Sequence, residues 1–128
     1  MMKLAAVRLF VHDIERAHRF YGGMLAWPLH ADGRRDGHVV YRLGEVDVVV
    51  EAVPPDAAED EQSLVGRPTG LSLGVDDIQA RCQALAGRGV RFGGAPTRQP
   101  WGGWLADFED PDGNGLQLVQ YPGPSARP

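Results

Sequence analysis

A chain of 128 residues has the usual size of a single domain and can bury roughly two-thirds of its unfolded surface. Its hydrophobic share of 43% and charged share of 23% are typical of a soluble globular protein rather than a disordered or membrane-embedded one. The formal net charge of −4 argues against nucleic acid as a partner, because phosphate binding needs a basic face.

The cysteine content and the first residues bear on localisation. Cys82 is the single cysteine, which excludes an intrachain disulfide and favours a reducing compartment. Arg8 and Asp13 interrupt the first apolar stretch, so we expect no secretory signal peptide. No apolar run is long enough for a membrane-spanning helix. The sequence therefore predicts a cytoplasmic protein without a membrane or nucleic-acid partner.

Two stretches, 6–21 and 70–85, share one pattern in which a strand is followed by a helix. Each begins with alternating apolar residues, as in a strand with one buried face. The two apolar faces are Val7, Leu9 and Val11 in the first stretch, and Leu71, Leu73 and Val75 in the second. Asp13 and Asp77 then stand where an N-cap is expected. Glycines at 22–23 and 87–89 are expected to end the helices.

Three further strands are expected after each helix, so the chain contains two copies of a βαβββ unit. They are predicted at 27–30, 38–43 and 46–53 in the first copy, and at 90–92, 104–108 and 116–121 in the second. The sequence DPDGN at 110–114 predicts a tight turn before the last strand. We expect one α+β domain over 1–122, with modules at 3–53 and 69–122, a linker at 54–68 and a tail at 123–128.

These motifs resemble those of the glyoxalase / bleomycin-resistance / extradiol-dioxygenase family, the vicinal oxygen chelate superfamily. The matching features are Val11-His12-Asp13, Phe20-Tyr21, the DPDGN turn and Leu118-Val119-Gln120. The segment 99–103, Gln-Pro-Trp-Gly-Gly, is also similar to members of this family. The resemblance implies paired βαβββ modules whose curved mixed sheets form a cup, and a homodimer.

The resemblance also implies where a divalent metal would bind. Metal-dependent members carry ligands at positions that match Ala6, Gly70 and Gln117, and a fourth position matches Glu51. Alanine and glycine have no donor atom, and a neutral amide is a poorer ligand than a carboxylate for a hard divalent ion. We therefore expect neither a metal nor any other cofactor.

Strand alternation assigns a set of side chains to the open sheet faces, where a small-molecule ligand would bind. Trp101 and Trp104, which flank Gly102-Gly103, are also included in this set. We expect one of them to stack on the ligand and the other to pack elsewhere. The predicted ligand-binding residues are Arg8, Phe10, Asp47, Glu51, Ser72, Trp101, Trp104 and Gln117.

Two of these residues allow more than one interpretation. Arg8 has two interpretations that do not exclude each other, as an anchor for an anionic or carbonyl-bearing ligand and as a member of an ion pair with Glu51 or Asp47. Glu51 is also the one candidate for a catalytic residue, as a general base. The four histidines are interpreted as surface residues, although His30 and His38 could meet across a hairpin.

The sequence favours a metal-free protein that sequesters a small organic compound or an antibiotic. One alternative is a lyase, isomerase or dioxygenase of the same superfamily that uses non-standard metal ligands. Another is a non-catalytic dimerising module, because a fold does not fix a function.

Overall fold

The computed structural model describes residues 1–123 and divides the chain into two compact units. The boundary between them falls inside the predicted linker, 54–68. The predicted tail, 123–128, lies almost entirely outside the described residues. Unit 1 consists of Met1–Arg67 and Pro111–Gly113, and unit 2 consists of Pro68–Asp110 and the chain from Asn114 onwards.

Unit 1 contains a four-stranded mixed sheet. Its strands are β1 Ala6–Val11, β2 Leu29–Gly33, β3 His38–Leu43 and β4 Val46–Ala52. Their spatial order is β1-β4-β3-β2, and β1 is parallel to β4 while the other neighbours are antiparallel. The alternation predicted for β1 is present, because Leu9 and Val11 are buried while Arg8 is exposed.

The helix of unit 1 begins where its N-cap predicts. The Asp13 carboxylate accepts hydrogen bonds from the backbone N–H groups of Glu15 and Arg16, and helix α1 spans Ile14–His18. The chain then continues as a π-helix over Arg19–Met24.

The predicted end of this helix at Gly22 and Gly23 is therefore wrong. A Cβ on Gly22 would lie 2.8 Å from Cε1 of His18, so the glycine lets the His18 ring pack closely here and does not stop the helix. The positive φ that follows the helix, 55°, belongs to Ala26.

Unit 2 repeats the order of strand, helix and strands. Its strands are β5 Pro68–Gly74, β6 Arg91–Phe92, β7 Thr97–Arg98, β8 Trp104–Glu109 and β9 Gly115–Gln120. The main sheet has the order β5-β9-β8-β6, with β7 paired to β8. Strand β5 is parallel to β9, as β1 is to β4 in unit 1. Helix α3 spans Ile78–Gly87, is capped by Asp77 and is followed by Gly89 at a φ of 100°.

The predicted α+β fold with mixed sheets is confirmed, and the differences are local. Strand β2 starts at Leu29 rather than at Trp27, because the backbone N–H of Trp27 donates to the Tyr21 carbonyl at the end of the helix, at 2.9 Å. The linker contains a short helix, α2 Glu59–Gln62, and β7 was not predicted. Among residues 1–123, each helix is too short or too polar to cross a lipid bilayer.

Each unit has its own apolar core between sheet and helix. In unit 1, Phe20 and Tyr21 pack against the buried side chains of β1, β3 and β4. The principal members on these strands are Leu9, Val11, Val39, Tyr41, Val48 and Val50. Burial raises the pKa of Tyr41 to about 12, and its hydroxyl lies 2.7 Å from Nδ1 of His18. In unit 2 the core consists chiefly of Ile78, Leu85, Ala106, Phe108, Leu116 and Leu118.

The turn at 110–114 closes on itself through a buried side-chain pair. The Asp110 carboxylate accepts hydrogen bonds from the backbone N–H of Asn114 at 2.9 Å and from its side-chain nitrogen at 2.8 Å. Both residues are only 1% exposed. The tip of the turn belongs to unit 1, where Asp112 accepts hydrogen bonds from Arg16 Nη2 at 2.5 Å and from the His12 backbone N–H at 3.3 Å.

We predict that Asp112→Ala lowers the free energy of unfolding by about 2 kcal/mol, because it removes a charged acceptor from a partly buried guanidinium. Asp112→Asn should lower the free energy of unfolding by less, since the amide oxygen can still accept a hydrogen bond from Arg16. Urea denaturation followed by circular dichroism measures both changes. Asp36→Ala, at an exposed position, is the control. A loss for Asp112→Ala no larger than that of the control would contradict the prediction.

Candidate functional site

The predicted site residues of unit 1 share one face of its sheet. Strand alternation places Arg8 and Phe10 of β1 on the same side as Asp47 and Glu51 of β4. Phe10 is the register partner of Glu51. This face lies opposite the buried side chains that pack under α1.

Arg8 and Glu51 form a two-pronged ion pair on this face. The distance from Arg8 Nε to Glu51 Oε2 is 2.5 Å, and that from Nη2 to Oε1 is 3.0 Å. The hydrogen bond to Glu51 and, after it, the Coulomb attraction raise the pKa of Arg8. The guanidinium carbon also lies 5.0 Å from the centroid of the Phe10 ring. Of the two interpretations of Arg8, the structure contains the ion pair.

This pairing limits what Glu51 can do chemically. Both of its carboxylate oxygens accept hydrogen bonds from Arg8. A general base needs an oxygen within reach of the proton that it removes. Each oxygen keeps a further lone pair, so a proton that Glu51 accepted would compete with the hydrogen bonds from Arg8.

A second ion pair neutralises Asp47. Its Oδ1 lies 2.6 Å from Nε of Arg42, and this hydrogen bond is the main reason why the pKa of Asp47 is lowered. Arg42 Nη2 also lies 3.2 Å from Nε2 of His30. Arg42 was not among the predicted site residues, although the alternation of β3 places it on the face opposite the buried Tyr41 side chain.

A cavity of about 540 Å³ in unit 1 is lined by charged residues, at Glu15 and residues 32–36. Arg34 donates hydrogen bonds to Asp32 and to Glu15. The hydrogen bonds from Arg34 lower the pKa of Asp32 to about 2. Asp32 and Glu15, two of the acids of this cavity, are thus paired with Arg34.

Unit 2 contains a cavity of about 610 Å³ on the open face of its sheet. We call it the β8–β9 cavity. Its lining combines small and apolar residues with several polar side chains, as in typical small-molecule sites. It is lined by Pro68, Gly70, Leu71, Ser72, Arg91, Phe92, Gly93, Asp107, Phe108, Glu109, Gly115, Leu116 and Gln117.

Strand register aligns three polar side chains across the β8–β9 cavity. Ser72 of β5 pairs with Gln117 of β9, which pairs with Asp107 of β8. Ser72 Oγ donates to Gln117 Oε1 at 2.7 Å, and Gln117 Nε2 donates to Asp107 Oδ1 at 3.1 Å. We call this row the Ser72–Gln117–Asp107 chain.

Two of these three residues were predicted, and several others were missed. Strand alternation selected Ser72 and Gln117, but Asp107, Glu109 and Phe92 were not assigned to the site. The missing signal was the pairing of β8 with β9 around the turn. Counting outward from that turn pairs Glu109 with Gly115 and Asp107 with Gln117.

The two predicted tryptophans lie outside the lining of the β8–β9 cavity. Trp104 shares a sheet face with the buried residues Ala106 and Phe108, opposite the face of Gln117. Trp101 is 47% exposed, and its ring centroid lies 6.0 Å from that of Tyr121. The structure therefore does not group either tryptophan with Gln117.

The residues at the expected metal positions do not fit a divalent ion. Gly70 has a φ of 77° and lies where the pairing of β5 with β9 shifts register, so this position requires glycine's backbone rather than a ligand side chain. Ala6 has no donor atom, Gln117 is hydrogen-bonded within its chain, and Glu51 is paired with Arg8. Within residues 1–123, no three His, Cys, Asp or Glu side chains are arranged to hold a metal.

Three solved structures with the same fold show what this chain is similar to. A member of the glyoxalase/bleomycin resistance protein/dioxygenase superfamily from Sphaerobacter thermophilus DSM 20745 is 31% identical, with a TM-score of 0.76, over 94% of this chain and 98% of that one. TnmS3, an antibiotic binding protein from Streptomyces sp. CB03234, is 30% identical, with a TM-score of 0.74, over 94% of this chain and 97% of that one. Lactoylglutathione lyase from Agrobacterium tumefaciens, at 14% identity, a TM-score of 0.74 and 94% of each chain, shares the fold alone.

Comparisons of the sequence with curated proteins and with family models give different results. No curated protein sequence matches the chain. The model described as the Glyoxalase/Bleomycin resistance protein/Dioxygenase superfamily matches residues 3–118, which is most of the chain. The chain therefore belongs to the glyoxalase/bleomycin resistance protein/dioxygenase superfamily.

Proposed function

We propose that this protein binds and sequesters a small organic compound, such as an antibiotic, in the β8–β9 cavity without a metal. The observation that carries the proposal is the cavity itself, with the Ser72–Gln117–Asp107 chain across an otherwise small-residued and apolar lining. Its volume, about 610 Å³, lies within the range that holds drug-sized molecules.

The polar groups of the two units support unit 2 as the binding region. In unit 1, the acids on the open face are already neutralised by Arg8 and Arg42. In unit 2, the polar chain ends in an exposed carboxylate, at Asp107. A ligand can therefore gain hydrogen bonds in unit 2 without first opening an ion pair.

The similar structures and the residues at the expected metal-ligand positions support binding rather than metal-dependent catalysis. TnmS3, at 30% identity over most of both chains, is an antibiotic binding protein. The lactoylglutathione lyase shares only the fold, so it lends no support to a lyase activity. Two of the four expected ligand positions, Ala6 and Gly70, carry no donor atom.

We predict that Gln117→Ala weakens the binding of any compound found in the cavity by about tenfold, because it removes the middle of the polar chain. The compound is first selected from a panel of aromatic antibiotics by thermal shift, and its dissociation constant is measured by calorimetry. Gln83→Ala, on the exposed side of α3, is the matched control. Equal affinities of the two variants, or a panel in which no compound stabilises the protein, would contradict the proposal.

We also propose that the protein is a cytoplasmic homodimer. Large apolar side chains remain exposed in each unit, at 65% for Leu4 and 50% for Leu29 in unit 1 and 47% for Trp101 in unit 2. Covering such side chains is a common driving force for association. Sedimentation at micromolar concentration should give twice the mass of one chain. A single species at 13.9 kDa would contradict the dimer.

Because we propose binding without a metal, we predict that the protein has no specific site for nickel, zinc or manganese. The expected ligand positions lack donors at Ala6 and Gly70, and Arg8 would repel a cation beside Glu51. Calorimetric titration of the chelator-treated protein should give no saturable equimolar binding. Near-equimolar metal that survives dialysis and is lost in Glu51→Ala would instead favour a metal-dependent enzyme.

A further inference from the structure

The charges that face the β8–β9 cavity are unequal. Asp107 and Glu109 of β8 line it, together with one cation, Arg91 of β6. Arg91 and Glu109 are register partners on neighbouring strands, so this cation is placed beside Glu109. Asp107 lies in the next row of the same face, opposite Gln117. The cavity therefore carries a net negative charge, with Asp107 as its source.

The Ser72–Gln117–Asp107 chain has a fixed direction. A carboxylate can only accept hydrogen bonds, so the side chain of Gln117 must turn its nitrogen towards Asp107. Its amide oxygen then faces Ser72, and the serine hydroxyl has to donate to it. The charge on Asp107 thus sets the orientation of both other side chains.

This direction determines what the cavity offers to a ligand. The one hydroxyl hydrogen of Ser72 is used by Gln117, so Ser72 Oγ presents lone pairs. Within residues 1–123, Oδ2 of Asp107 has no hydrogen-bond or ion-pair partner. The row therefore presents acceptors at both ends, one of them charged. Such a site selects hydrogen-bond donors over acceptors and cations over anions.

We infer that the compound bound in the β8–β9 cavity carries a protonated amine or an amidinium group, which donates a charge-assisted hydrogen bond to Asp107. The inference rests on the proposed function, because it names the ligand class of the same site. Ser72 Oγ is a second acceptor on the same face. The small residues Gly70, Gly93 and Gly115 in the same lining leave room for the apolar part of the ligand.

Three naphthalene probes that differ in one group test the inference: naphthylmethylamine, naphthylmethanol and naphthoic acid. Each is titrated into the isotope-labelled full chain, and the backbone amide shifts of Gly70, Ser72 and Gln117 report binding. We expect the amine to bind about tenfold more tightly than the alcohol, as one charge-assisted hydrogen bond allows, and the acid to bind least. Added salt should weaken binding of the amine and leave binding of the alcohol unchanged.

The variant Asp107→Asn should remove this preference. Its amide oxygen can still accept from Gln117, so the variant removes the charge without removing an acceptor from the row. Asp36→Asn is the matched control, since it makes the same change at an exposed position in unit 1. The ranking of the probes on the unaltered protein is a test that does not depend on how a variant folds.

The outcomes separate the inference from the proposed function. Binding of the alcohol or the acid in the cavity at least as tight as that of the amine overturns the inference and leaves small-molecule binding intact. An amine preference that survives in Asp107→Asn also overturns it. If neither the probes nor the antibiotic panel shifts any cavity amide, both the inference and the proposed function fail.

Discussion

Strand β9 pairs with a parallel neighbour on one side and an antiparallel neighbour on the other, and the site depends on both pairings. The parallel pairing places Ser72 beside Gln117, and the antiparallel pairing places Asp107 on its other side. Because side chains alternate between sheet faces, a shift of one residue in either register would move a member of this row into the apolar core. The closed turn between Asp110 and Asn114 fixes the antiparallel register, so a structural motif of the fold also positions the site.

The two units share the same sheet arrangement, but the polar side chains on their open faces have different partners. In unit 1, guanidinium groups pair with both acids of the open face, and the surface satisfies itself. In unit 2, the polar side chains bond in a row that ends in a carboxylate, and acceptors remain for a partner. The two units thus differ in whether the polar groups of the open face are neutralised within the unit. The ion pair of Arg8 with Glu51 occupies the position at which the family resemblance implies a metal ligand.

The sequence predicted the elements well where the pattern is local. Alternating residues located β1, β4 and β9, and the aspartates at 13 and 77 located both helix starts, because capping depends on neighbouring residues. Non-local packing caused the errors. Gly22 accommodates the His18 ring, which no local pattern reveals, and Trp27 contacts Tyr21 through its backbone and its ring instead of starting a strand. Asp107 was missed because its role depends on cross-strand register rather than on its own neighbours in the sequence.

The central claim is that a small molecule binds on the open face of unit 2. A crystal structure of the protein with a compound selected by thermal shift tests it most directly. The account predicts electron density in the β8–β9 cavity, with a donor group of the compound within hydrogen-bond distance of Asp107 or Ser72. Density for the compound on the open face of unit 1, in place of the ion pair between Arg8 and Glu51, would contradict it.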